Sequence, residues 1–181
     1  PDPVVHGHPG QLSHSRWYLH REEDSYRGGS FKGLDITFGE GCYGGVLIRT
    51  LRGPGGVVNG SSLCVDALLA ATGAADVAAL DATLGNIWDT TRPLHLVPID
   101  DPPSQTWKTA RVGLTLRRAW THRQMPAYIG RPYRYLCDAR AVKKGRPYHV
   151  LALHRAGTAP ATIHPIPGSP ARTIKSYIDH Y

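Results

Sequence analysis

The chain has 181 residues, 41% hydrophobic and 19% charged, a balance that builds a core and excludes a disordered polymer; no apolar run approaches membrane-spanning length. Its 20 glycines and 15 prolines punctuate the chain throughout, favouring short strands joined by turns over long helices. The net charge of +7 is uneven: from Arg140 onward seven cations (Arg140, Lys143, Lys144, Arg146, Arg155, Arg172, Lys175) face one acid, Asp179. Three cysteines, Cys42, Cys64 and Cys137, fit neither a zinc pattern nor a disulfide scaffold and point to a reducing, intracellular compartment. An organellar (mitochondrial) or nuclear setting stays open, as does a cleaved targeting segment.

Residues 1–11 read as an extended loop, with proline at 1, 3 and 9. Arg16 to Arg21 is a strand of aromatic and alternating character, followed by a glycine-containing turn over 27–33. Leu34 to Phe38 and Gly45 to Leu51 are two β-rich runs around a turn over 39–44, too apolar for an exposed pair, so both are placed centrally in the sheet. A helix capped by Ser61 or Ser62 carries the stripe Leu63, Ala67, Leu68 and Ala71 and stops at Gly73. Asp76 opens a second short helix that ends at Gly85. Leu94 to Val97 reads as a strand between two prolines, Thr109 to Leu116 as a short strand or turn, and Arg131 to Cys137 as a return to the sheet. From Ala139 the chain holds one apolar run, Tyr148 to Leu153, before a Pro-rich stretch, and reads as a cationic arm. Tyr148, His149, His154, His164 and Tyr177 interleave stacking groups with its charge, which points to nucleic acid, RNA or DNA.

His6 and His8 alternate on an extended segment and would share a face, but the spacing is nonspecific, and the residues imply neither a metal nor a cofactor. No nucleophile elbow occurs. Asp35 is more telling: an acid between Leu34 and Ile36 must be paired or placed in a site, and Arg49 in the neighbouring run is the expected complement.

The runs GLDITFGEGCYGGVLIRTL, NGSSLCVDALLAATG, ARVGL and GRPYRYL, with the opening DPVVHG, resemble in order and spacing the methylpurine (3-methyladenine) DNA glycosylases, over residues 2 to 136. That resemblance implies that His6 stacks on a flipped base, that Asp35 stands where the family has a purine-screening asparagine, and that Arg49 matches its pocket arginine. Tyr18 or Tyr26 would supply the second stacking face. The family's general base precedes its histidine by about ten residues, a position before Pro1, so the catalytic strand is expected upstream and no catalytic residue is assigned within the chain.

The expected architecture is α+β: one methylpurine-glycosylase-like domain over 1–138, with a central mixed, largely antiparallel sheet and short helices, and a basic Pro-rich extension over 139–181. Two functions compete. One is a non-catalytic nucleic-acid-binding subunit of a larger assembly with protein partners, an organellar ribosome for example, that uses the basic extension. The other is an active alkylpurine glycosylase of base excision repair that hydrolyses the N-glycosidic bond. The missing base favours the first. No membrane partner is implied.

Overall fold

A computed structural model describes residues 2–101, 103, 105–114 and 124–180, the side chain of Met125 excepted. The protein is α+β, with small antiparallel ladders and short helices. It divides into two compact units, residues 5–100 and the described residues of 2–4 with 101–180. Among the described residues no single helix is long and apolar enough to cross a membrane.

In the first unit, β1 (His14–Leu19), β4 (Leu34–Phe38) and β5 (Gly45–Leu47) fall on the expected β-rich runs, and β2 (Arg21–Glu22) and β3 (Ser25–Tyr26), which the sequence did not indicate as a pair, form a tight hairpin between β1 and β4 in the chain. The main sheet is three-stranded in the order β1-β4-β5, with β4 central, and all its pairing is antiparallel. Trp17 stands opposite Ile36, Tyr18 opposite Asp35, and Asp35 in turn opposite Leu47. Paired residues share a face and successive residues alternate. One face therefore presents Trp17, Leu19, Leu34 and Ile36, which pack with Val65, Leu80 and Ile87 as the core. The other face presents Tyr18, Asp35 and Thr37.

The expected continuous strand over 45–51 breaks at Ile48 and Arg49, and the chain continues as a separate hairpin of β6 (Thr50–Gly53) and β7 (Gly56–Asn59). The first helix, α1 (Ser61–Thr72), ends at Gly73 in the left-handed conformation as expected. At its start Gly60, not a serine, occupies the cap position, and the Ser62 hydroxyl donates instead to the Gly29 carbonyl. Its buried residues are Cys64 and Val65, while Leu63 is 56% exposed. The helix is apolar on nearly every side, so its sequence offers little contrast with which to select the inward face. In α2 (Val77–Thr83) the Asp76 carboxylate caps the Ala79 amide at 2.8 Å. Residues 94–97 form no ladder; Leu94 and Leu96 pack on the core, and the Leu94 carbonyl accepts a hydrogen bond from the Trp17 indole.

In the second unit, β8 (Trp107–Thr109) pairs with β9 (Arg134–Leu136), so the segment expected to rejoin the main sheet makes a ladder of its own. Of the segment read as strand or turn from Thr109, Thr115 and Leu116 lie outside the described residues. A short α3 (Met125–Ile129) comes before β9 in the chain. The expected extended arm is instead helical: α4 (Arg146–Arg155), α5 (Pro160–Ile163) and α6 (Ala171–Asp179). They close around buried Val150, Leu153, Ile163 and Ile174, with Trp107, Ile166, Tyr177 and Ile178 packed on them. The apolar residues are sparse but fall at helical spacing, so three short helices bury them together where an extended chain leaves them in water.

Candidate functional site

The non-core face of the β1-β4-β5 sheet is covered by the N-terminal segment, which turns through a 3-10 helix over Pro9–Leu12. There the rings of His6, His8, Tyr18 and His20 gather. His6 lies nearly parallel to His20, with centroids 4.9 Å apart and planes 13° apart. His8 lies on Tyr18 at 5.1 Å, and His6 is 6.2 Å from His8 and 6.0 Å from Tyr18.

Beneath the rings sits Asp35, 3% exposed. Its Oδ1 accepts from His20 Nε2 at 2.8 Å and its Oδ2 from Gln11 Nε2 at 2.7 Å. Because a carboxylate only accepts, His20 donates to Asp35 through Nε2. Two glycines make this arrangement sterically open. A Cβ on Gly45 would stand 2.6 Å from Asp35 Oδ2 and 2.9 Å from Gln11 Nε2, and one on Gly33 would stand 2.6 Å from the His20 ring.

The two N-terminal histidines are oriented by backbone. His6 Nε2 lies 2.8 Å from the Arg21 carbonyl, and His8 Nε2 lies 3.1 Å from the Glu23 carbonyl while its Nδ1 accepts from Gly10 N. His6 therefore donates through Nε2 and keeps its Nδ1 lone pair. Burial first, and then the charge of His20, push the His6 imidazole below its ordinary value, so the ring is neutral at neutral pH. Burial pushes the Tyr18 phenol up, which keeps it protonated. With both Nε2 atoms held by carbonyls, His6 and His8 do not converge on a metal. Among the described residues no group of three His, Cys, Asp or Glu side chains is placed to hold one.

A cleft of about 320 Å³ opens beside the ring cluster, lined among others by His8, Ser13, Tyr18, Arg21 and Asp81. At its edge Arg21 Nη2 bridges Asp81 Oδ2 at 2.9 Å and the Tyr26 hydroxyl at 2.6 Å, and Tyr26 donates to the same carboxylate oxygen at 2.7 Å. The lining of the cleft thus includes ring side chains, His8 and Tyr18, and the Arg21–Asp81 ion pair, a mix of apolar and polar groups typical of a small-molecule site.

Of the residues read from sequence, His6, Tyr18 and Asp35 come together in one cluster. Tyr26 belongs to the neighbouring Arg21–Asp81 group. Arg49 is elsewhere: its carbonyl accepts from Gly60 N, its charge acts on Cys64, and the partners of Asp35 are His20 and Gln11 instead. The break of the strand before Arg49 explains the difference, since only an unbroken strand carries it alongside Asp35. The sequence pattern assigns no site role to His20 or Gln11. His20 was within reach of it, because it follows Tyr18 at the two-residue period that sets a strand face; nothing in the sequence marks Gln11. Of the basic set, Arg140, Lys143, Lys144, Arg155, Arg172 and Lys175 are exposed and Arg146 is half-buried at the start of α4.

No family model, no curated protein and no solved structure matches the chain. The likeness to methylpurine glycosylases stands on its short motifs alone.

Proposed function

We propose that the protein binds nucleic acid and that the cluster at residues 6–35 handles a purine-type base, hydrolysing its N-glycosidic bond in the manner of an alkylpurine glycosylase. The observation that supports hydrolysis over a purely structural role is the His6–His20 pair backed by Asp35. It supplies inside the chain a neutral, oriented imidazole where no general base was assignable from sequence. His6 Nδ1 takes a proton from water as the water oxygen bonds to C1′ of the sugar. The C1′–N bond breaks and its electron pair leaves with the base, which is cationic when alkylated and departs neutral. His8, Arg21 and Asp81 line the cleft beside the rings and supply the ring and polar contacts to the base.

The test is single-turnover excision from a duplex carrying one alkylated purine. Excision by the intact chain is expected, falling about 10²–10⁴-fold in His6→Gln. Excision no faster than without protein overturns hydrolysis and leaves the non-catalytic nucleic-acid-binding subunit.

A further inference from the structure

We propose that the outward face of the β8–β9 ladder binds single-stranded nucleic acid, with Tyr133 and Tyr135 as the rings on which its bases stack. The assignment rests on the nucleic-acid-binding part of the reading above and is independent of hydrolysis.

Alternation along the ladder sorts its side chains. Trp107 stands opposite Leu136 and Thr109 opposite Arg134. Leu136 and Thr109 are buried, and Trp107 packs on the apolar cluster formed by α4, α5 and α6. Lys108 and Tyr135, the pair between them, therefore point the other way. Exposure alternates from residue 133 to 136, so Tyr133 shares the outward side, 45% exposed against 59% for Tyr135. Two rings two residues apart on an extended strand lie about 7 Å from one another, room for one unstacked base on each.

Cations stand beside both rings. Lys108 Nζ lies 5.6 Å from the centre of the Tyr135 ring. The Arg131 guanidinium lies 4.2 Å from the Tyr128 ring and 5.8 Å from that of Tyr133, and its Nη1 donates to the Tyr133 hydroxyl at 2.9 Å. Arg111, 5.5 Å from the Tyr133 ring, is tied to Asp2 at 2.8 Å. Lys108 and Arg131 are exposed, and among the described residues neither is paired with an acid. Their charge is left for a partner.

The charge and the rings together select that partner. Residues 101–181 hold 14 Lys and Arg against 3 Asp and Glu, whereas residues 5–100 hold 7 against 10. Among the described residues the other exposed Phe, Tyr and Trp side chains, Phe31, Phe38, Tyr43 and Trp88, all belong to the acidic stretch. Only the β8–β9 face joins exposed aromatic rings to a surplus of cations. An acidic peptide or an anionic lipid surface supplies negative charge without a row of flat ring faces. A duplex has both, but keeps its bases stacked on one another inside. A single strand presents phosphates and free base faces along one line, which is what such a surface holds.

The test uses the full chain with a fluorescent oligothymidylate strand and a duplex DNA of the same length. Strand affinity is expected to fall linearly on a log scale with salt. The variant Y133A/Y135A is expected to weaken strand binding about tenfold or more while leaving duplex binding and the thermal melt unchanged, because both rings are exposed. Y133F/Y135F keeps both rings and is expected to bind the strand as the parent does. K108Q/R131Q is expected to flatten the salt slope by about two phosphates. Photocrosslinking to a strand carrying bromouracil, followed by mass spectrometry, is expected to mark Tyr133 or Tyr135. Parental strand affinity in Y133A/Y135A, an equal loss of duplex binding in that variant, or crosslinks confined to other segments overturns this assignment and leaves the nucleic-acid reading standing. Binding to neither strand nor duplex overturns both.

Discussion

His6 and His20 lie face to face, their ring centroids 4.9 Å apart and their planes within 13° of parallel. Two protonated imidazoles at that distance repel, and burial further disfavours charge on His6. A proton NMR titration of the His6 ring is expected to give a midpoint below the ordinary value of about 6.5. His20→Asn removes the neighbouring positive charge and is expected to move that midpoint upward. A His6 midpoint at or above 6.5 in the parent contradicts this account. For excision, the acid limb of the rate profile follows the same group, so activity rises with pH through the His6 midpoint and persists to lower pH than an ordinary histidine allows.

Asp35 is the one acceptor shared by His20 and Gln11 beneath the rings. Asp35→Leu leaves two buried donors without an acceptor, which costs about 1–3 kcal/mol for each stranded group. Urea unfolding of the full chain should show a lower midpoint with little change in slope. Excision should be lost as well, because His20 loses its anchor. Parental stability in this variant contradicts the proposed role of the carboxylate as a structural centre.

Gly45 leaves room for the contact between Asp35 and Gln11. Gly45→Ala places a methyl group where those atoms stand, and the required shift is expected to cost about 1–3 kcal/mol. Gly55→Ala is the matched control: nothing lies within 4 Å of the added carbon, and the expected change is within about 0.5 kcal/mol. Equal melts for the two variants argue against close packing at Gly45.

The acid stability of the helical unit is set in part by His149, whose imidazole is pushed down to about 4 by burial first and by Arg134 second. A base with a depressed native value binds its proton more readily in the unfolded chain. Its contribution is therefore fully present above about 6.5 and lost as pH falls from there toward 4, by about 3 kcal/mol at the end of that window. Chemical unfolding from pH 7 to pH 4 should show this slope, and His149→Leu should flatten it.

The three thiols differ in access. Cys42 and Cys137 are exposed, while Cys64 is fully buried in α1 and burial pushes its thiol up. Alkylation of the native protein, followed by mass spectrometry, should label Cys42 and Cys137 and spare Cys64 until denaturant is added.

The local elements were legible in the sequence where short-range chemistry decides them. Leu34 to Phe38 forms the strand its β-branched alternation indicates, Asp76 caps its helix, and Gly73 ends the one before it. Asp35 was marked as a site residue because an acid in an apolar strand must find a partner, and the structure gives it two. Which partners was a tertiary matter. The break at Ile48 and Arg49 and the fold-back of the N-terminal segment over the sheet bring His20 and Gln11 to Asp35, across sequence separations that no local pattern spans. The same holds for residues 139–180: prolines and charge read as an arm. Only the docking of α4, α5 and α6 onto one another shows that a few spaced apolar side chains bury a core none of the helices forms alone.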